Sequence, residues 1–188
     1  MAEKRLILAS GSPRRRELLS KMGYTFETCS PDVDEHVEGK AEEIVRILAV
    51  RKAHAAAEHI QNGVIIASDT LVSLDTKPLG KPQDALDARR MLHALSNRSH
   101  DVFTGVCILD TETNQEEVRV VRTGVHFRAL SDSEIDEYVK TGEPMDKAGA
   151  YAIQGGAGRF VDFLDGAFDN VMGFPTDDVR EMLSHFGL

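Results

Sequence analysis

The sequence is short of cysteine, of positive charge and of long apolar runs, and each shortage removes a class of protein. Among 188 residues there are two cysteines, Cys29 and Cys107. Far apart in sequence, they read as reduced intracellular thiols and not as a disulfide framework. Lys and Arg number 22 against 31 Asp and Glu, a formal net charge of −9. Non-specific binding of duplex nucleic acid needs a basic face, which so acidic a chain does not offer. No apolar run is long enough to span a bilayer and no N-terminal stretch has the pattern of a secretory signal. The expectation is a cytoplasmic protein with neither membrane nor nucleic acid as partner. Repeats, low-complexity tracts and separating linkers are missing too. With 41% hydrophobic and 28% charged residues, the make-up is that of a soluble globular chain, large enough for one domain or for one domain pinched into two lobes.

Several chemistries lack their motifs. The seven histidines show no His-Glu-x-x-His and no clustered Cys/His spacing, which argues against zinc. There is no Walker loop and no Gly-x-Ser-x-Gly elbow. An Asp-x-Asp nucleophile is unsupported because Leu71 stands where the second Asp would be. Gln154-Gly-Gly-Ala-Gly158 has the wrong spacing for a dinucleotide fingerprint; it suits close backbone approach to a ligand instead.

What is present begins at Leu6-Ile-Leu-Ala-Ser-Gly-Ser-Pro-Arg-Arg-Arg16. An apolar strand runs through small residues straight into a helix start. Ser12 is a suitable N-cap and Pro13 a suitable first helical residue. Leu18, Leu19 and Met22 repeat at helical spacing, and Gly23 closes the helix. Arg14, Arg15 and Arg16 then fill the first turn, where the macrodipole disfavours cations. Free N–H groups and guanidiniums converging on one spot make a phosphate site. The alternative is that the arginines fan out into water. A concentrated basic spot in an acidic chain points to a small polyanion.

Further along, a looser acidic segment from Thr25 to Lys40 precedes a helix from about Ala41 to Ile60, with Ile44, Ile47, Leu48 and alanines as its apolar stripe and Gly63 stopping it. Val64–Ala67 reads as a buried strand ending in Ser68-Asp69-Thr70. Leu79–Pro82 reads as a loop, and Asp84 can cap a helix through Leu95. Val102–Leu109 and Val118–Phe127 form a hairpin around Thr113-Asn114. Ser131 and Glu134 make a capping box for a helix to about Lys140. Glu143–Gly158 carries few signals, Phe160–Leu164 suits a strand, and Thr176 can cap a last helix ending near Phe186. Alternating helices and strands with a hairpin between them give an α/β or α+β fold with a mixed sheet flanked by helices. Polar residues collect at its junctions: Ser10 to Arg16, Asp69-Thr70, Lys81 and Asp146 to Gln154.

A carboxylate where an apolar strand ends is partly desolvated, which favours Asp69 as a base, though such residues also cap turns. Lys52 follows Leu48 by four residues, so it lies on or beside the apolar stripe. It either snorkels to solvent or reaches a phosphate across a cleft. Lys81, between Gly80 and Pro82, is equally open. Glu35 suits a hard cation such as Mg²⁺ or Mn²⁺, or is simply solvated.

Taken together, Ala9-Ser-Gly-Ser-Pro-Arg-Arg15, Ala67-Ser-Asp-Thr70, Gly80-Lys-Pro-Gln83, Pro144-Met-Asp-Lys-Ala-Gly-Ala-Tyr151, Ile153-Gln-Gly155 and Val171-Met-Gly-Phe-Pro175 resemble, in this order, the Maf family of nucleoside triphosphate pyrophosphatases. The likeness runs from near residue 5 to near 186. It implies one domain over 1–188, two lobes around a cleft, similar to the inosine triphosphatase fold. It implies hydrolysis of a nucleoside triphosphate to monophosphate and pyrophosphate with a divalent cation, and a homodimer. By that resemblance Asp69 is the proton acceptor; the chemistry of the reaction adds Lys52 and Lys81 as catalytic groups that hold phosphates with Arg14 and Arg15, and Glu35 with Asp69 as holders of the metal. Ser10, Arg14, Arg15, Thr70 and Gln154 bind substrate, and Arg14, Thr70 and Gln154 bear on base preference. Asp-Thr with Ile-Gln-Gly resembles the dTTP/UTP branch, whereas the 7-methyl-GTP branch tends to Asp-Gln and Glu-Gly. Ala152 and Ser68 depart from frequent glycines without changing a reacting group. The family's link to septum formation leaves a nucleotide-sensing regulator as the rival reading.

Overall fold

One long strand joins the two halves of the molecule and carries the polar triplet at its middle. The computed structural model describes residues 4–188. In chain order its elements are β1 (Arg5–Ala9), α1 (Pro13–Lys21), β2 (Glu27–Cys29), α2 (Ala41–Ala57), β3 (Gly63–Leu74), β4 (Lys77–Leu79), α3 (Ala85–Leu95), β5 (Ser99–Asp110), β6 (Glu116–Phe127), α4 (Asp132–Lys140), β7 (Val161–Asp165), α5 (Phe168–Val171) and α6 (Thr176–His185), with 3₁₀ turns between Glu143 and Phe160. The strands form one open mixed sheet in the order β2-β1-β3-β5-β6-β7, with β4 beside β3. β1 runs parallel to β2 and β3; the remaining pairings are antiparallel. The expected mixed sheet with flanking helices is thus present.

Alternation along the strands feeds three cores. Ile7, Ala9, Ile65 and Ala67 meet Ala49, Ala53 and Ala56 of α2 on one face. Leu6, Leu8, Val64 and Ile66 meet Leu19, Phe174, Val179 and Met182 from α1 and the C-terminal segment on the other. Past the triplet, Val72 and Leu74 join a third core with α3, α4 and the turns after them. The small side chains of α2 let it lie close to the sheet. It lies so close over β5 that a Cβ on Gly105 would come within 2.3 Å of the Val45 carbonyl oxygen.

The structure corrects several local expectations. β3 does not end at Asp69: β5 pairs with it from Val64 to Ser73, so the polar triplet interrupts the apolar pattern but not the strand. α2 ends at Ala57, short of Ile60, and Gly63 opens β3 instead of stopping the helix. Ile47 lies on the exposed side of α2. Strands β2 and β4 are additions. β4 turns back through Asp75 and Thr76, both at positive φ, a turn geometry that normally advertises itself with Asn-Gly or Asp-Gly. Thr176 is the first residue of α6 and not its cap: its N–H donates to Asp169 Oδ2 at 2.9 Å. Gly23 does close α1, at φ +91.

Candidate active site

The site occupies a gap in the sheet. β1 last pairs with β3 at Leu8 and Ile66, and β4 first pairs with it at Val72 and Leu79. Residues 67–71 of β3 are therefore paired by β5 alone, with their other edge open. Into this notch the chain turns out of β1 at Ser10 and enters α1. Ser10 is buried, and its hydroxyl accepts the Ser12 N–H at 3.1 Å. Ser12 makes no side-chain cap, contrary to expectation, and the first turn holds no acidic residue. The helix start is thus left with the uncapped N–H groups and positive pole that favour an anion.

Asp69 lies opposite Gly105 in the β3–β5 register, so both face α2. Because Gly105 lets the helix approach, Lys52, two turns beyond Val45, reaches the strand. Its Nζ donates to Asp69 Oδ1 at 2.7 Å and pairs with Glu35 Oε1 at 2.9 Å. Of the two readings of Lys52, the inward one holds. Glu35 sits on a loop fixed to the same helix, where Arg51 donates to the Asp34 carbonyl at 2.9 Å. The hydrogen bond from Lys52, aided by the fields of Lys52, Lys81 and Arg15, holds the Glu35 carboxyl below the usual carboxylate range against a smaller desolvation effect. No described residue bonds Asp69 Oδ2, so one oxygen of that carboxylate remains available to take a proton.

Thr70 points to the other face. Arg15 spans the open edge: Nε donates to the Gly173 carbonyl at 2.8 Å and Nη2 to Thr70 Oγ1 at 3.1 Å, while Nη1 has only a contact of 3.5 Å with Ser10 Oγ. Burial pushes the Arg15 pKa down, opposed by the field of Asp69; a guanidinium stays charged regardless. Arg14 has a buried Nε without a partner among the described residues, and its field reaches Asp146, whose carboxyl is lowered mainly by its bond to Lys147. Arg16 is exposed, so the three arginines do not act alike.

Lys81 is exposed and makes no ion pair among the described residues, although its field reaches Glu35. Its loop is tied down where the Gly149 N–H donates to the Gly80 carbonyl at 3.1 Å. Gln154 is exposed, and no hydrogen bond joins it to the cluster. Its loop is nonetheless fixed: the Ala152 N–H donates to Tyr138 Oη at 3.0 Å, and the Gly156 N–H to Glu143 at 3.1 Å. Ser10, Arg15, Glu35, Lys52, Asp69 and Thr70 are therefore assembled in one place, Arg14 and Lys81 stand at its rim, and Gln154 stands apart on a held loop. A concavity of about 670 Å³ elsewhere, lined by His54, Ile60 and Glu116 among others, has no comparable set of phosphate-binding groups.

An ordered series of short motifs, several of which fold into one basic notch beside a Lys-bridged carboxylate pair, is a pattern that a family would share. The family model described as Maf-like protein matches residues 5–186. The chain belongs to the Maf family. A dTTP/UTP pyrophosphatase of Desulforamulus reducens is 45% identical over 185 residues, covering 97% of each chain. Proteins of the same name from Myxococcus xanthus and Anaeromyxobacter dehalogenans are 46% and 47% identical, each over 97% of this chain and 93% and 94% of theirs. A solved HAM1 protein from Coxiella burnetii superposes with a TM-score of 0.47 at 18% identity, over 82% of this chain and 90% of that one; so distant a likeness decides nothing about this member of the Maf family.

Sequence reasoning passed over Gly105, Thr104, Asn170 and Gly173, which shape the notch from behind. Gly173 and Asn170 belong to or adjoin Val171–Pro175, a motif that marked the family without suggesting a role. Gly105 and Thr104 lie inside a hairpin strand whose pattern is otherwise regular, and nothing local distinguishes them.

Proposed function

We propose that this chain hydrolyses dTTP and UTP to the nucleoside monophosphate and pyrophosphate. The observation that carries the reading is the single ammonium of Lys52 between Asp69 and Glu35, set beside Arg15 and an uncapped helix start. That is a place where anionic phosphate and a water-activating carboxylate can meet. Arg14, Arg15, Lys52 and Lys81 neutralise the triphosphate and keep its reacting phosphorus in line with water. Water attacks the α-phosphorus, Asp69 takes its proton through the free oxygen, the bond from the α-phosphorus to the bridging oxygen breaks, and pyrophosphate leaves. The names of the relatives support the substrate pair.

Glu35 and Asp69 fit a divalent cation of the Mg²⁺ class. Two carboxylates converge on one cationic point, and Mg²⁺ is commonly held by one or two carboxylates with phosphate and water completing the shell. Such an ion would supply positive charge to the phosphates and make a water easier to deprotonate. Among the described residues no third His, Cys, Asp or Glu joins them, so the substrate would supply part of the site. The reading includes a cytoplasmic location and a homodimer; sedimentation of the purified protein tests the dimer, and cell fractionation the location. Among the described residues no helix is long and apolar enough to cross a membrane.

Uracil and thymine present an N3–H donor between two carbonyl acceptors. The Gln154 amide offers both a donor and an acceptor, and cytosine would leave part of that pattern unpaired. The test is kcat/KM across dTTP, UTP, CTP, ATP, GTP and 7-methyl-GTP, with and without chelation. Expected are dTTP and UTP well above the rest, loss of turnover with EDTA, and erosion of the preference in Gln154→Glu. A purine optimum, or full turnover in thoroughly chelated enzyme, overturns the corresponding part.

A further inference from the structure

Three oxygen atoms behind the notch form a chain whose proton order can be solved. Thr70 Oγ1 accepts from Arg15 Nη2 at 3.1 Å and lies 2.9 Å from Thr104 Oγ1, which lies 3.0 Å from the Asn170 carbonyl oxygen. A guanidinium only donates and a carbonyl only accepts. With both ends fixed, one arrangement satisfies every contact. Thr104 donates to Asn170, so Thr70 must donate to Thr104. The single proton of Thr70 is spent, and toward the notch Thr70 is an acceptor only.

The far end of the chain is anchored firmly. Asn170 is wholly buried, and its amide donates to the Val102 and Val121 carbonyls at 3.3 and 3.2 Å and to Thr123 Oγ1 at 3.1 Å. Two carbonyl partners fix which end of the amide is nitrogen. Its Oδ1 is buried without a partner among the described residues. An orphaned buried oxygen is a cost, which a positioning role would explain. The Asn170 carbonyl also accepts the Gly173 N–H at 3.0 Å, and the Gly173 carbonyl accepts Arg15 Nε at 2.8 Å. Gly173 is at φ +98, and a Cβ there would lie 3.1 Å from Thr70 Oγ1. Both grips on the guanidinium therefore trace back to one buried asparagine, and they leave Nη1 with only the 3.5 Å contact to Ser10 Oγ.

We infer that Thr70, Thr104 and Asn170 form a one-way hydrogen-bond relay that aims Arg15 at the phosphates, with Thr104 and Asn170 as positioning residues. The inference rests on the proposed role of Arg15 as a phosphate ligand. Like-oriented bonds polarise one another, so the relay makes Thr70 a better acceptor for Arg15.

The test compares Thr104→Val, which keeps the shape and removes the hydroxyl, with Thr104→Ser, which keeps the hydroxyl. Three quantities are read: the Kd for inorganic pyrophosphate, the ratio of kcat/KM for dTTP over CTP, and the ¹⁵N–¹H resonance of Arg15 Nε. Thr104→Val should weaken pyrophosphate by about tenfold, shift or broaden the Arg15 resonance, and leave the base ratio unchanged. Thr104→Ser should restore the first two. Thr70→Val, at a half-buried position that spares the fold if Thr104→Val does not, should weaken pyrophosphate likewise. The double variant should lose little more than either single one, because the two hydroxyls act in series. Wild-type pyrophosphate binding in a folded Thr104→Val or Thr70→Val protein overturns the relay, as does a Thr70→Val protein in which only the base ratio changes. A wild type without dTTP turnover defeats the proposed function instead, while pyrophosphate binding and the Arg15 resonance still decide the relay.

Discussion

Replacing Lys52 by Met removes one charge at the point where most of the site converges, and its consequences carry opposite signs. Lys52 Nζ is 2.7 Å from Asp69 Oδ1 and 2.9 Å from Glu35 Oε1. Laid end to end, those contacts put the two carboxylate oxygens about 5.6 Å apart at most, where their repulsion is about 0.7 kcal/mol in water and about 3 kcal/mol at an effective dielectric of 20. The Glu35 side chain is 63% exposed, which favours the lower part of that range. The Asp69 side chain is only 13% exposed and loses its partner. Together these give a loss of about 1–2 kcal/mol, or about 2–8 °C in Tm for a chain of this size. The loss should shrink in acid. Lys52 holds the Glu35 carboxyl below its ordinary range, so the stability from Glu35 is complete above its unfolded pKa and disappears as pH falls through the folded value. Turnover should fall about 10²-fold or more, since the phosphates lose a fixed cation. Mg²⁺ should nonetheless bind about five- to thirtyfold tighter by calorimetry, because no ammonium competes for the two carboxylates. General damage to the site would weaken both. A Lys52→Met protein with unchanged turnover, or with Mg²⁺ affinity unchanged or reduced, refutes the shared-cation argument.

Two further perturbations follow from packing and burial. Gly105→Ala would place a Cβ within 2.3 Å of the Val45 carbonyl oxygen, so α2 must lift from the sheet; a stability loss of about 1–3 kcal/mol should be accompanied by loss of turnover as Lys52 withdraws from Asp69, and a fully active, fully stable Gly105→Ala protein would show that close approach of the helix is not needed. His100 is buried against Phe127, with Nε2 2.7 Å from Tyr151 Oη, and burial lowers its pKa to about 4. The folded state thus favours neutral imidazole. Its contribution is complete above the ordinary value near ~6.5 and is lost progressively from there down to the folded value, a fall of about 3 kcal/mol. Tm measured against pH should drop over that window and drop less in His100→Gln; equal slopes in the two proteins would remove His100 as the cause.

What could be read in the sequence is what local chemistry encodes. The strand–turn–helix at Ser10–Arg16, the capping box at Ser131 and Glu134, and the hairpin of β5 and β6 are each written in consecutive residues, and each is present. Lys52 was legible as facing inward or outward but not as which. Helical periodicity places it beside the stripe, and only the close seat of α2 over Gly105 decides that it reaches Asp69. The position of Asp69 misled for a related reason. Three polar residues ending an apolar run look like a strand end, yet β5 supplies an unbroken ladder beside them. Backbone pairing does not need apolar side chains, and the sequence of β3 carries no mark of its partner's length. β4 was hidden because Asp75-Thr76 adopts a turn usually signalled by glycine.

The uninterrupted β3 also explains why Asp69 and Thr70 can divide the work. Adjacent strand residues face opposite sides, and in the middle of an ordinary sheet that would separate them by a layer of backbone. Here one edge of residues 67–71 is open between β1 and β4. A group lying across that edge can touch one face and feel the other. Arg15 does this, bonded to Thr70 and within the field of Asp69. Asp69, the proposed general base, is thereby held on the side of α2 with Lys52, and Arg15, the proposed phosphate ligand, is gripped on the side of α5 with Asn170. A slip of one residue in the β3–β5 register would exchange the two faces and bring Thr70 to Lys52. The register is fixed outside the site by alternating apolar residues at Val64–Ala67 and by the third core at Val72 and Leu74. The three cores therefore do more than stabilise the sheet: they set which face each polar residue of the waist serves.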